Sequence, residues 1–149
     1  MTNWASIIAA ERDALLAQLG DWLRIPSISA DPVYRTDTLQ AAEWLQSALL
    51  QAGVDRCELW PTRGADDVDG HPVVYAEAIA DPALPTLLVY GHYDVQPPDP
   101  LDLWTTPAFA PAIRDGKIYA RGACDDKGQT FLHVAALRLL QQQGGLPCN

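Results

Sequence analysis

The chain has 149 residues, 48% of them apolar and 8% aromatic, which is the length and composition of one ordinary globular domain. Nineteen acidic against ten basic residues give a formal charge of −9, spread along the chain rather than gathered in a run, which argues against a nucleic-acid or anionic-membrane partner. Cys57, Cys124 and Cys148 are odd in number and lack C-x-x-C spacing, so neither a disulfide framework nor a cysteine zinc knuckle is indicated, and a reducing cytoplasm fits.

Met1 to Ala10 contains no basic segment leading into an apolar core, and no window approaches about 18 uninterrupted apolar residues, so neither an export signal nor a membrane span is expected. From Ala5 to Arg24, Ile7, Ile8, Leu15, Leu16, Leu19, Trp22 and Leu23 recur at helical spacing until Pro26 stops the pattern. Ser27 to Tyr34 reads as a loop. A second helix runs from about Asp37 to Ala52, with Leu39, Ala42, Leu45 and Leu49 on one face and Gly53 as its cap.

The period then changes. Val54 to Trp60 and Pro72 to Ala80 read as strands flanking a polar loop at 63–70, and Thr86-Leu87-Leu88-Val89-Tyr90 reads as a short strand of the fully buried kind. The proline-rich stretch 95–111 is expected to form an ordered loop over a sheet edge. Asp115-Gly116, between Ile113-Arg114 and Lys117-Ile118-Tyr119, signals a hairpin, because this dipeptide accepts the positive backbone angles of a tight turn. A third helix spans about Gly128 to Gln143 and ends at Gly144-Gly145. Helices interleaved with strands imply an α/β architecture, a central sheet flanked by helices, with ligands gathering beyond strand ends.

Chemistry concentrates in two loops. His92 and Asp94 follow the Thr86–Tyr90 segment, and residues two apart on an extended chain face the same side, so both can serve one site. A histidine can ligate a metal through one ring nitrogen while the other donates to a carboxylate. Asp125-Asp126 opens the third helix, where one aspartate suffices for capping; a second adds negative charge that a divalent cation would offset.

Other residues carry blander readings. His71 is expected to be a solvated loop residue, and His133 to serve packing or a local hydrogen bond. Lys127-Gly128 lacks the spacing of a phosphate loop. Cys124 has no histidine close by in sequence, and the five tryptophans, Trp22 and Trp44 among them, are read as core.

The text G-H-Y-D-V-Q-P at 91–97, Trp104, Phe109, D-G-K-I-Y at 115–119 and R-G-A-C-D-D-K-G at 121–128 resembles the M20 metallopeptidase family, a dinuclear-zinc group of dipeptidases, aminoacylases and deacylases. The D-V-Q-P and D-D-K-G variants look most like the carnosinase-like dipeptidase branch. Ala120 stands where a glycine is usual in the family.

The resemblance implies a zinc-peptidase catalytic domain, of which residues 1–149 are an incomplete N-terminal part forming a single domain. It implies that His92 ligates one metal, that Asp125 bridges two, and that Asp94 is the carboxylate orienting His92. The peptide bond between Asp125 and Asp126 would be cis. Two Zn²⁺ ions are implied for the complete enzyme, with Mn²⁺ or Co²⁺ as substitutes, together with a small peptide or acyl amino acid substrate and a homodimer in the full-length protein. The family's general-base glutamate and remaining ligands have no counterpart in these residues, so the 149-residue chain alone is expected to be inactive. The alternatives are a catalytically silent α/β module and an N-acyl amino acid deacylase that uses the same mechanism.

Overall fold

A computed structural model describes residues 2–65 and 67–149. Met1, at the start of the segment read for an export signal, and Asp66, in the polar 63–70 loop, lie outside the described residues. Trp4–Leu23 forms α1, opened by Asn3, whose side chain accepts the Ser6 N–H at 3.3 Å. The buried residues of α1 are Gly20, Trp22 and Leu23, all in its final turns, while Trp4 and Ile8 near its start are exposed. A single 3-10 turn, Pro32–Tyr34, leads into α2, Arg35–Ala52, which Gly53 closes in the left-handed conformation at φ 93°.

The buried stripe of α2 is Thr38, Ala41, Ala42, Leu45 and Ala52. Leu39, expected on that face, points to solvent, because the stripe follows the i, i+3, i+4 rows from Thr38 and Leu39 lies about 100° around the axis. Small alanines let α2 approach its neighbours closely. Trp22 fills the space between them, fully buried and donating its indole N–H to the Ala41 carbonyl at 3.1 Å. Trp44 stacks on Trp22 with centroids 5.0 Å apart and meets Phe131 at 6.1 Å. Two tryptophans read as core are not: Trp4 and Trp60 are exposed, the latter stacked on Tyr75.

The architecture is α/β. β1 (Arg56–Trp60) pairs antiparallel with β2 (Val73–Glu77) in the register Glu58↔Tyr75, and this hairpin lies against α2. β3 (Ala112–Arg114) and β4 (Lys117–Tyr119) form the expected hairpin, with Asp115 at φ 50° and Gly116 at φ 74° in its turn. α3, Lys127–Gln142, packs Phe131, Val134 and Leu139 inward and contacts both α1 and α2. Among the described residues no helix is long and apolar enough to cross a membrane.

Among the described residues the sheets are those two hairpins, with one further isolated antiparallel bridge between Arg63 and Asp69. The segment 86–90, expected as a buried strand, forms no strand: Leu88 is 89% and Tyr90 88% exposed. A strand needs a neighbour to take its backbone groups. Among the described residues this segment has a pair of backbone bonds with Asn149, Leu87 N–H to Asn149 O at 2.7 Å and Asn149 N–H to Pro85 O at 2.9 Å, the pattern of a single parallel pairing. The 95–111 stretch is ordered, as expected. It lies against the loop that follows β4 rather than over a sheet edge, through Arg121 N–H to Ala108 O at 2.8 Å and Arg121 Nη2 to Pro97 O at 3.1 Å.

Candidate metal centre

His92 and Asp125 come together from loops 33 residues apart in sequence. His92 Nε2 lies 3.0 Å from Asp125 Oδ1, and His92 Nδ1 lies 2.9 Å from Asp94 Oδ1 and 3.1 Å from the Asp94 carbonyl. Nδ1 faces two acceptors, the carbonyl and carboxylate oxygens of Asp94, and Nε2 faces one, so in the neutral ring the proton is assigned to Nδ1. Nε2 then turns its lone pair toward Asp125. Asp125 is the open side of the site, with 77% of its side chain exposed against 35% for Asp94.

Local sequence explains how the two loops meet. Asp126 precedes α3 but caps none of its N–H groups through its side chain. Its Oδ2 accepts the His92 backbone N–H at 3.0 Å and the Thr130 hydroxyl at 3.1 Å, so the second aspartate of the pair fastens the His92 loop to the first turn of α3. The peptide bond between Asp125 and Asp126 is cis. Gly91 lies so close that a Cβ there would come within 2.9 Å of Asp126 Oδ2 and collide with the Thr130 hydroxyl.

Gly128 is tighter still, since its Cβ would overlap the Ala123 carbonyl. Gly128→Ala is therefore expected to lower stability by about 1–3 kcal/mol through overpacking, read as a lower urea midpoint with an unchanged slope.

Lys127 is the most deeply buried charged residue among the described residues, at 0% exposure. Its ammonium donates to the Trp22 carbonyl at 3.0 Å and the Ile25 carbonyl at 2.7 Å, and it sits 5.7 Å from the Trp22 ring centroid. It thus closes the C-terminal end of α1, where the helix dipole is negative, while belonging to the metal-side end of α3. Burial pushes its pKa down from 10.5 to about 7, with the Asp94 charge opposing.

At His92 burial also lowers the imidazole's pKa. The hydrogen bonds with Asp125 and Asp94 outweigh it, and the net shift is upward. Burial, reinforced by the Asp94 charge, raises the Tyr93 phenol to about 12, and its hydroxyl donates to the Pro72 carbonyl at 2.6 Å.

The donor set suits a cation in part. A neutral imidazole nitrogen and a carboxylate oxygen, both acceptors, face one another, and only a proton or a cation makes that contact favourable. Among the described residues no group of three or more His, Cys, Asp or Glu is arranged to hold a metal ion; His92 and Asp125 bring two such donors together. His133 is exposed on α3, and Cys124 is exposed on the loop just before Asp125.

His71 departs from its expected role as a solvated side chain, being half-buried with Nε2 at 3.4 Å from the Ser29 carbonyl. Sequence reasoning also passed over Ser29, whose hydroxyl donates to Asp94 Oδ2. A groove of about 500 Å³ between the three helices is lined by Gln18, Trp44 and Arg138 among others, and no residue of the His92 site reaches it.

Residues 88–148, which contain both loops, match the model of peptidase family M20/M25/M40. A cysteinylglycine-S-conjugate dipeptidase of Corynebacterium striatum is 31% identical over 138 residues, covering 93% of this chain and 29% of that protein. A succinyl-diaminopimelate desuccinylase of Methylococcus capsulatus is 48% identical over 56 residues, or 38% of this chain and 15% of that one.

The crystal structure of human carnosine dipeptidase 1 superposes with a TM-score of 0.84 at 29% identity, covering 95% of this chain and 31% of that one. The chain thus spans less than a third of the length of these relatives. Residues 88–148 thus carry a match to the M20 peptidase family, and over more than nine-tenths of its length the chain is similar in sequence and fold to part of dipeptidases.

Proposed function

We propose that this chain supplies a metal-binding half of a metal-dependent peptidase that hydrolyses the amide bond of dipeptides. The observation that supports the reading is the opposed pair of His92 Nε2 and Asp125 Oδ1 at 3.0 Å, with the other imidazole nitrogen committed to Asp94. In this reading His92 and Asp125 would hold the metal, zinc in the first instance, with Asp125 as the ligand shared by a two-ion site, and Asp94 would be the carboxylate that orients His92. The same oxygen and nitrogen donors accept Mn²⁺ or Co²⁺. When bound, such ions supply Lewis acidity toward the scissile carbonyl and acidify a water.

The chain's own residues have defined tasks. Asp94 holds a proton at His92 Nδ1, which keeps the Nε2 lone pair free and aimed at Asp125. Asp126 is occupied with His92 N–H and Thr130, so it holds the two loops at a fixed separation and leaves Asp125 as the open carboxylate. The exposed side of Asp125 is where a small peptide or acyl amino acid approaches. In the same reading residues 1–149 are one partial catalytic domain, the full-length protein is a homodimer, and three free cysteines suit a reducing cytoplasm. A second reading, hydrolysis of N-acyl amino acids, is favoured by the 48% identity with a desuccinylase; it keeps the same residues and mechanism and changes the substrate pocket.

Two donors fall short of the three or so protein ligands a catalytic zinc normally takes. Purified and supplied with Zn²⁺, the 149-residue polypeptide is therefore expected to show no turnover of cysteinylglycine or carnosine, and turnover above the metal-only blank would overturn the two-donor assignment. The positive test is a chimera in which residues 1–149 replace the matching part of human carnosine dipeptidase 1. Zinc-dependent dipeptide hydrolysis that disappears on His92→Ala supports the reading. A folded chimera with bound metal and no activity on dipeptides or succinyl amino acids defeats it.

A further inference from the structure

The turn that follows α1 touches both loops of the candidate centre. Ser27, fully buried, donates its hydroxyl to the Tyr93 carbonyl at 2.7 Å, and its own carbonyl accepts the Val95 N–H at 2.9 Å. Lys127 ties the Asp125 loop to the carbonyls of Trp22 and Ile25 just before the same turn. Ser29 makes the contact nearest to the chemistry: its hydroxyl donates to Asp94 Oδ2, while Asp94 Oδ1 receives the imidazole. Each oxygen of the Asp94 carboxylate therefore has its own partner, one from the turn and one from His92.

We propose that Ser29 is a positioning residue of this centre, setting the plane of the Asp94 carboxylate so that Asp94 holds His92 with Nε2 facing Asp125. This rests on the metal-site reading above. The terminal torsion of an aspartate is broad, so a carboxylate held at one oxygen alone can swing. With 35% of the Asp94 side chain exposed, water competes for any oxygen left without a protein partner. Ser29 removes that freedom from a side belonging to a different segment, 65 residues away in sequence. Ser27 offers the contrast, since its hydroxyl meets only backbone and supports the same loop without touching the carboxylate. Partners one step behind a metal ligand typically change metal affinity by 10- to 100-fold when removed.

The test compares Ser29→Thr with Ser29→Val, two side chains of nearly equal shape that differ in the hydroxyl, with Ser27→Ala as the stability control, all in the full chain. The first readout is the ¹⁵N shifts of the His92 ring in the metal-free protein, at a pH where the imidazole is neutral; the second is Zn²⁺ affinity by titration. The expected result is a single Nδ1–H tautomer in the wild type and in Ser29→Thr, a mixture of tautomers in Ser29→Val, and about a 10-fold or greater loss of Zn²⁺ affinity in Ser29→Val alone. Ser27→Ala is expected to unfold more easily with its His92 shifts unchanged.

The proposal is overturned if Ser29→Val keeps the wild-type tautomer, or if Ser29→Val and Ser27→Ala alter both readouts alike in proportion to lost stability. Where the two donors of this chain hold zinc too weakly to titrate, the ring shifts decide the role of Ser29 by themselves, and the metal-site reading stands or falls with the chimera instead.

Discussion

Replacing Lys127 by Met is expected to destabilise the fold by about 2–4 kcal/mol when measured at high pH, where the lysine is neutral. The amine donates to the carbonyls of Trp22 and Ile25 in a place sealed from water. Methionine preserves much of the volume and leaves both acceptors without a donor, each at about 1–3 kcal/mol for a buried unsatisfied group. The pH dependence separates this from a packing defect. Lys127 titrates at about 7 in the folded chain and at its ordinary 10.5 when unfolded, so between those values the unfolded state binds more protons and stability rises with pH.

The wild type is therefore expected to gain up to about 1.4 kcal/mol per pH unit from this group on going from pH 7 toward 10.5. Lys127→Met lacks that slope, so the gap between the two proteins widens as pH rises and narrows as it falls. Urea unfolding of both proteins across that range, with matched slopes, measures the difference. A gap that stays constant with pH would mean that Lys127 keeps an ordinary pKa in its buried position.

The placement of Asp94 beside His92 was legible in the sequence because it is local, whereas the meeting of His92 with Asp125, 33 residues on, was implied only by the family resemblance. An H-x-D on extended chain puts two side chains on one side, and a doubled aspartate ahead of an amphipathic helix marks a loop with more charge than capping uses. Helix boundaries fell within one or two residues for the same reason, since Pro26 and Gly53 act on their immediate neighbours. What escaped depends on partners far along the chain. Nothing local marks Lys127 as buried, since the carbonyls that close around it lie 105 and 102 residues earlier.

Ser29 reads as loop filler until Asp94 arrives, and His71 as solvated until the Ser29 carbonyl meets it. The 86–90 segment failed in the opposite sense. Its residues have strand character, but pairing is a property of two segments, and apart from the Asn149 contact nothing among the described residues pairs with it. Leu87, Leu88 and Tyr90 are accordingly exposed. Asp126 was legible as a cap by type and position, yet its carboxylate serves His92 and Thr130, because the approach of the His92 loop offers it an N–H that the helix does not.

Removing the imidazole is expected to have the largest effect on metal binding: His92→Ala should weaken Zn²⁺ or Co²⁺ binding by at least about 100-fold, since it deletes one of two donors outright, whereas Asp94→Asn should cost about 10–100-fold by weakening the ligand's support. Asparagine can present its amide nitrogen or its oxygen to Nδ1, and a neutral oxygen polarises the ring less than a carboxylate does.

The pH dependence of the metal-free and metal-bound chains should run in opposite directions. Without metal, the raised His92 pKa means that the imidazolium's contacts with Asp125 and Asp94 contribute stability that is fully present below the ordinary value of 6.5 and is lost as pH rises through the folded value. Metal binding needs the neutral ring, so affinity should increase over the same interval while protons are released to buffer. Calorimetric titration in buffers of different ionisation enthalpy counts those protons. A wild-type chain that binds metal with no proton release around the His92 pKa, and with the affinity of His92→Ala, would exclude His92 as a ligand and leave its contact with Asp125 as a simple ion pair of the folded loop.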